Sequence, residues 1–177
     1  MSDPVLLTAI DGSQNALLAA AVAARFSRLL GARLGLVTSL HVAKDPLGFG
    51  GGLFSRDLTD RLLAEARLEA ESNLRAVAER IEEHCDIGLP EYFLLEGDPE
   101  QEIPHLVQSL PETIMVVVGQ RGFGTESKPR GLPHLLGGLG AKLSLALAVP
   151  VLLVPPDTNI DQLCSAVFCS DPSQGDR

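Results

Sequence analysis

A chain of 177 residues that is 45% apolar and only 4% aromatic can build one domain around an aliphatic core, with too little surplus for a second domain of ordinary size. Its 14 Lys and Arg against 23 Asp and Glu give a formal charge of −9, which works against binding nucleic acid or an anionic membrane, and no Trp with a single Tyr leaves little on which to stack single-stranded bases. Three cysteines, Cys85, Cys164 and Cys169, show neither a CxxC pair nor metal-ligand spacing and are an odd number for a disulfide framework, so a reducing, cytoplasmic compartment is expected.

The N-terminus, Met-Ser-Asp-Pro, runs directly into strand-like sequence, without a basic leader or an apolar stretch of membrane-spanning length. Val5 to Ile10 is short, apolar and closed by Asp11-Gly12-Ser13, the pattern of a buried strand ending in a turn. Ser13 suits a helix N-cap, Leu18, Val22, Phe26 and Leu29 recur at helical spacing, and Gly31 supplies the stop. Arg33 to Val42 reads as a second strand, and Leu47 to Leu53 holds enough glycine to read as a mobile loop. Leu58, Leu62, Ala66, Ala70, Leu74, Val77 and Ile81 mark a long amphipathic helix whose other face interleaves Glu and Arg.

Glu91 to Leu95 is a third strand, and Glu96-Gly97-Asp98-Pro99 marks a helix start, with the helix reaching about Leu110. Pro104 inside that span either kinks the helix or moves its first turn to Ile103. Thr113 to Val118 and Val149 to Val154 are the fourth and fifth strands, with a glycine-opened helix over Leu135 to Leu147 between them. Thr125 to His134, with Pro129, Gly131 and Pro133, reads as an exposed, flexible loop, and the pattern is lost after Pro155-Pro156. The expected organisation is one domain over residues 1–156 and a C-terminal tail over 157–177.

Regular alternation of strand and helix predicts a doubly wound parallel sheet with helices on both faces. The ligand crevice of such a sheet lies beyond the carboxyl ends of its strands, where the winding reverses. Asp11-Gly12-Ser13, His41-Val42 and Gly119 to Gly124 all fall at carboxyl ends. Glycines at 119, 122, 137 and 138 would let backbone N–H groups approach phosphate oxygens, and Arg121, Lys128, Arg130 and Lys142 add positive charge. Tight turns and close packing of helix on sheet call for glycine equally well, so both readings stand at this point.

Other chemistry is less well supported. Asp11 has no visible acid/base partner and reads most simply as a turn acid. His41, His84, His105 and His134 fall on four separate segments, Ser13 lacks a nucleophile elbow, and Cys164 and Cys169 lack a basic neighbour to activate them.

The ordered set Ala9-Ile-Asp-Gly-Ser13, Leu40-His-Val42, Glu96-Gly-Asp-Pro99, Val118-Gly-Gln-Arg-Gly122, and Leu135-Leu-Gly137 leading to Val149-Pro-Val-Leu-Leu-Val154 resembles the universal stress protein family over residues about 4 to 155. The resemblance implies a five-stranded sheet in the order 3-2-1-4-5 of the adenine nucleotide alpha hydrolase-like kind, a cytoplasmic role in stress response, and a homodimer paired through Val149 to Val154. It also implies an ATP site, with or without Mg2+. Asp11 would stand near the ribose and the metal ion, with Gly12 and Ser13 beside it, and Val42 would lie beside adenine. Gly119, Arg121, Gly122, Gly137 and Gly138 would surround the phosphates.

The family's glycine signature, G-x2-G-x9-G followed by Ser or Thr, is altered here. Gly119 and Gly122 fit its opening, but 14 residues, 123 to 136, separate Gly122 from Gly137, and Gly138 stands where the hydroxyl residue is expected. Three functions follow: an ATP-binding regulatory module without dedicated catalysis, a dimeric interaction protein that has lost ATP, and, third, a nucleotide hydrolase on the same fold. The last lacks a P-loop lysine-serine pair and any assembled acid/base set.

Overall fold

The computed structural model describes residues 3–40, 56–85, 87–120, 138–160 and 162. The expected loops at 47–53 and 125–134, together with Val42, Arg121, Gly122, Gly137, His41, His134, Cys164 and Cys169, lie outside them.

Among the described residues the elements are, in chain order, β1 (Val5–Ala9), α1 (Gln14–Leu30), β2 (Arg33–Leu40), α2 (Arg56–Cys85), β3 (Glu91–Glu96), α3 (Pro99–Ser109), β4 (Thr113–Gly119), α4 (Leu139–Ala146) and β5 (Val151–Val154). The strands form a five-stranded parallel sheet in the order β3-β2-β1-β4-β5, as the alternation and the resemblance predict.

Because side chains alternate across a strand, each face carries its own core. Leu6, Ile10, Leu34, Leu36, Val117 and Val154 meet α1 and α2 on one face. Val5, Leu7, Val37, Val116 and Val118 meet Ile103 of α3 and Leu143 of α4 on the other. Burial on both faces explains why β1 and β4, apart from Thr8 and Thr113, read as apolar runs and not as an apolar-polar alternation.

Local chemistry sets the helix ends. Ser13 takes an extended conformation and its Oγ accepts the Ala16 amide at 3.1 Å, the N-cap of α1. Gly31 ends that helix in the left-handed region at φ 60°, where its amide returns to carbonyls of the last turn. Asp98 caps α3 through the Glu100 amide at 3.1 Å, with Pro99 in the first turn.

Several expectations are corrected. Helix α3 is continuous from Pro99 through Pro104 to Ser109, so its first turn does not start near Ile103; the cost is the amide that residue 104 would have donated one turn back. Gly138 is the N-cap of α4, so that helix opens at Leu139 and not at Leu135. Strand β5 begins at Val151, since Pro150 has no amide to give a ladder, although its carbonyl accepts from Val116 at 3.0 Å. The buried face of α1 is the alanine stripe Ala16, Ala19, Ala20, Ala23 and Ala24 with Val22, whereas Leu29 is 46% exposed. Beyond β5, Ile160 packs back against the α1/α2 core, at the start of the expected tail.

Candidate functional site: the carboxyl edge between β1 and β4

Strand β1 sits in the middle of the sheet with β2 on one side and β4 on the other, so the winding reverses between β1 and β4. The carboxyl end of β1 is pinned twice: the Ile10 amide donates to Val37 O at 2.7 Å, and Thr38 Oγ1 donates to Ile10 O at 2.7 Å. Past this anchor the chain turns at Gly12, whose φ of 80° is a conformation that L side chains rarely adopt. Asp11 Oδ1 accepts the Ser13 amide at 3.0 Å, and the residue is exposed at the rim. The turn-acid role is therefore present. Ser13 is 2% exposed and serves as the cap of α1.

Across the crevice, β4 ends at Gly119. A Cβ added there would lie 3.0 Å from the Asn15 backbone, so glycine at this position answers to the close approach of α1. The Gln120 amide then donates to Val154 O at 2.9 Å, which ties the exit of β4 to the end of β5. Val154 O also accepts Asn15 Nδ2 at 3.0 Å. Asn15 is 4% exposed and was not singled out by sequence reasoning. Its only signal was a polar residue in the first turn of a helix whose next positions are alanine.

Gly138 extends at φ −77°, ψ 156°, a conformation open to any residue. Its carbonyl accepts the Ala141 and Lys142 amides at 3.1 and 3.3 Å, and glycine itself brings no side chain to cap the helix. Lys142 in the first turn of α4 is ion-paired with Glu100 of α3. Of the four cations expected near phosphate, Lys142 alone lies among the described residues.

The turn from Glu96 to Pro99, at the carboxyl end of β3, has a structural account. Gly97 adopts φ 132°, its amide donates to Leu40 O at 3.1 Å, and its carbonyl accepts Ser39 Oγ at 2.6 Å, so the turn stitches β3 to the end of β2. Glu96 pairs with Arg67 of α2.

His84 Nδ1 lies 2.8 Å from Arg80 O, and His105 lies 3.7 Å from Glu102 on its own helix. Among the described residues no group of three or more His, Cys, Asp or Glu could hold a metal ion. Cys85 is buried in the core at the end of α2. No helix among them is long and apolar enough to cross a membrane.

Asp11, Gly12, Ser13, Gly119 and Gly138 are thus placed at carboxyl-end turns or a following helix start, with the first four flanking the β1–β4 switch point. A doubly wound α/β domain with its crevice there is the class of protein that fold and site define. The chain belongs to the universal stress protein family, whose profile matches residues 4–155.

Solved structures agree on the fold. Universal stress protein UspA from Lactobacillus plantarum is 15% identical, with a TM-score of 0.66 over 87% of this chain and 99% of that one. A universal stress protein in complex with cAMP is 18% identical, with a TM-score of 0.61 over 89% and 100%. The universal stress protein from Archaeoglobus fulgidus in complex with dAMP is 22% identical, with a TM-score of 0.56 over 86% and 98%. No curated protein matches the chain in sequence.

Proposed function

We propose that this protein binds an adenine nucleotide, ATP with Mg2+, at the carboxyl edge between β1 and β4, and acts as a homodimeric regulatory module in stress response with no dedicated catalysis. The observation that carries the reading is the switch point itself, where the Gly12 turn, the capped N-terminus of α1 and the glycine exit of β4 meet. Relatives of the same fold in complex with cAMP and dAMP support an adenine nucleotide as the ligand class.

In this reading Asp11 faces the ribose and the ion, Gly12 and Ser13 shape the turn beside it, and Val42 lies by adenine. Arg121, Gly122, Gly137 and Gly138 receive the phosphates, with Gly119 allowing α1 to sit close behind them. Mg2+ suits the Asp11 carboxylate, because it is commonly held by one or two carboxylates together with substrate phosphates and waters. The ion would neutralise phosphate charge, while the residues of this chain orient the nucleotide.

Titration calorimetry with ATP and Mg2+ tests the assignment. Gly122→Val and Gly137→Val should abolish binding, since a side chain at either place stands between backbone N–H groups and phosphate. Asp11→Ala should weaken binding with Mg2+ more than without it. Binding by both valine variants at the wild-type level would show the phosphate assignment to be wrong.

A second reading, an interaction protein that no longer takes ATP, is favoured by Gly138 in the place of the signature's hydroxyl and by the stretch of 14 residues, 123 to 136. Mass spectrometry of ligand released from the purified, denatured protein separates the two: adenine nucleotide supports the first and its absence the second.

A further inference from the structure

The Val154 carbonyl is a junction that the nucleotide reading does not use. It accepts the Gln120 amide at 2.9 Å from the chain leaving β4, and Asn15 Nδ2 at 3.0 Å from the first turn of α1. A carbonyl oxygen has two lone pairs, so these two donors fill its ordinary capacity. Val154 and Asn15 are 2% and 4% exposed, so water does not readily replace either donor. The same asparagine presses its backbone to within 3.0 Å of a Cβ at Gly119, one residue before Gln120. Three elements are locked at one atom, at the place where the chain departs from β4 toward the glycines of the signature.

We propose that Asn15 is a positioning residue for the nucleotide site: by holding the Val154 carbonyl, its amide group fixes the Gln120 backbone and so the direction in which the glycine segment leaves β4. This rests on the nucleotide reading for its ligand, but the junction also has a consequence in the free protein. With the side chain removed, the carbonyl keeps one donor, a gap opens beside Gly119, and Gln120 gains slack. The slack is confined to the β4–β5 side, since the β2–β3 side is closed by a different pair, the Gly97 amide on Leu40 O at 3.1 Å.

The test measures ATP–Mg2+ affinity by calorimetry and amide hydrogen exchange at Gln120 and Gly97 in the wild type, Asn15→Ala and Asn15→Asp. Asn15→Ala should weaken affinity between about three- and tenfold, the worth of one buried hydrogen bond. Its Gln120 amide should exchange about tenfold faster while Gly97 keeps its rate, whereas general destabilisation would speed both.

Asn15→Asp keeps the shape and replaces the amide donor by a carboxyl group. Ionised, that group repels the carbonyl; protonated, its O–H donates to it, and burial favours the protonated form. The ratio of its Kd to that of the wild type at the same pH should therefore be large where the pH lies above the carboxyl's own pKa, which burial raises, and fall toward one as the pH drops through it.

Three outcomes overturn the proposal: an Asn15→Ala protein that binds as tightly as wild type, Gln120 and Gly97 accelerating together, or an Asn15→Asp ratio that does not change with pH. A wild type that binds no ATP, with Gln120 still loosened selectively in Asn15→Ala, removes the nucleotide reading and leaves the junction standing.

Discussion

The N-terminus of α4 turns on one hydroxyl. Gly138 holds an N-cap conformation that serine adopts without strain, and as glycine it brings no side chain to cap the helix. Gly138→Ser should let its Oγ accept an amide of the first turn, stabilising the free protein by only a few tenths of a kcal/mol, as glycine-to-serine exchanges at N-caps do. The hydroxyl proton then remains for a phosphate, and one neutral hydrogen bond adds about 0.5–1.5 kcal/mol to ATP affinity. Thermal unfolding with and without ATP separates the two effects: a shift seen equally in both conditions would limit the hydroxyl to capping.

At the same scale, the sequence showed which positions are special without showing why. Gly119 matches the opening of a phosphate signature, yet its requirement for glycine comes from Asn15, a residue 104 positions earlier whose nearness only the folded sheet reveals. Asn15 itself reads as a surface polar residue.

Among the elements, helix α1 lies over both β1 and β4. Its alanines allow that closeness, since small side chains shorten the distance between helix axis and sheet. The spacing Leu18, Val22, Phe26, Leu29 has the right helical period but is centred away from the buried stripe: Leu18 and Phe26 are only partly buried and Leu29 is largely exposed. Alanine signals neither core nor surface strongly, so a stripe of it is hard to see. Caps were easier to read, because Ser13, Gly31 and Asp98 act on groups within a few residues of themselves.

Pro104 is the element-scale liability. It sits in the sixth position of α3, where an interior proline costs ~3 kcal/mol relative to alanine in a helix. The stiffer unfolded chain that proline provides returns about 0.4–1 kcal/mol. Pro104→Ala should therefore stabilise the domain by about 2 kcal/mol, read as a higher urea midpoint with an unchanged slope. No gain, or a loss, would mean that the half-buried ring packs well enough to offset its missing amide.

For the whole molecule, the two edges of the sheet are unlike. The β3 edge carries Glu91 paired with Arg33 and Glu96 paired with Arg67, charges of the kind that keep an edge strand from pairing with another chain. The β5 edge is Val-Leu-Leu-Val, with Leu153 38% exposed, and the helix that packs on it, α4, shows Leu145 at 91% exposure. An apolar edge is where a second copy would add its own strand, and we expect the protein to self-associate there.

Leu152 is the wrong residue with which to test this, because it packs inward against the α1/α2 core, so a charge at 152 would unfold the domain before it reported on a partner. Leu153 points to the other face, beside Gly140, and a lysine there can carry its ammonium out to water along its own stem. Leu153→Lys should keep the helical content of the wild type and sediment as a smaller species at micromolar concentration. A wild type that is already monomeric at that concentration removes the dimer, and a variant that still dimerises moves the interface away from β5.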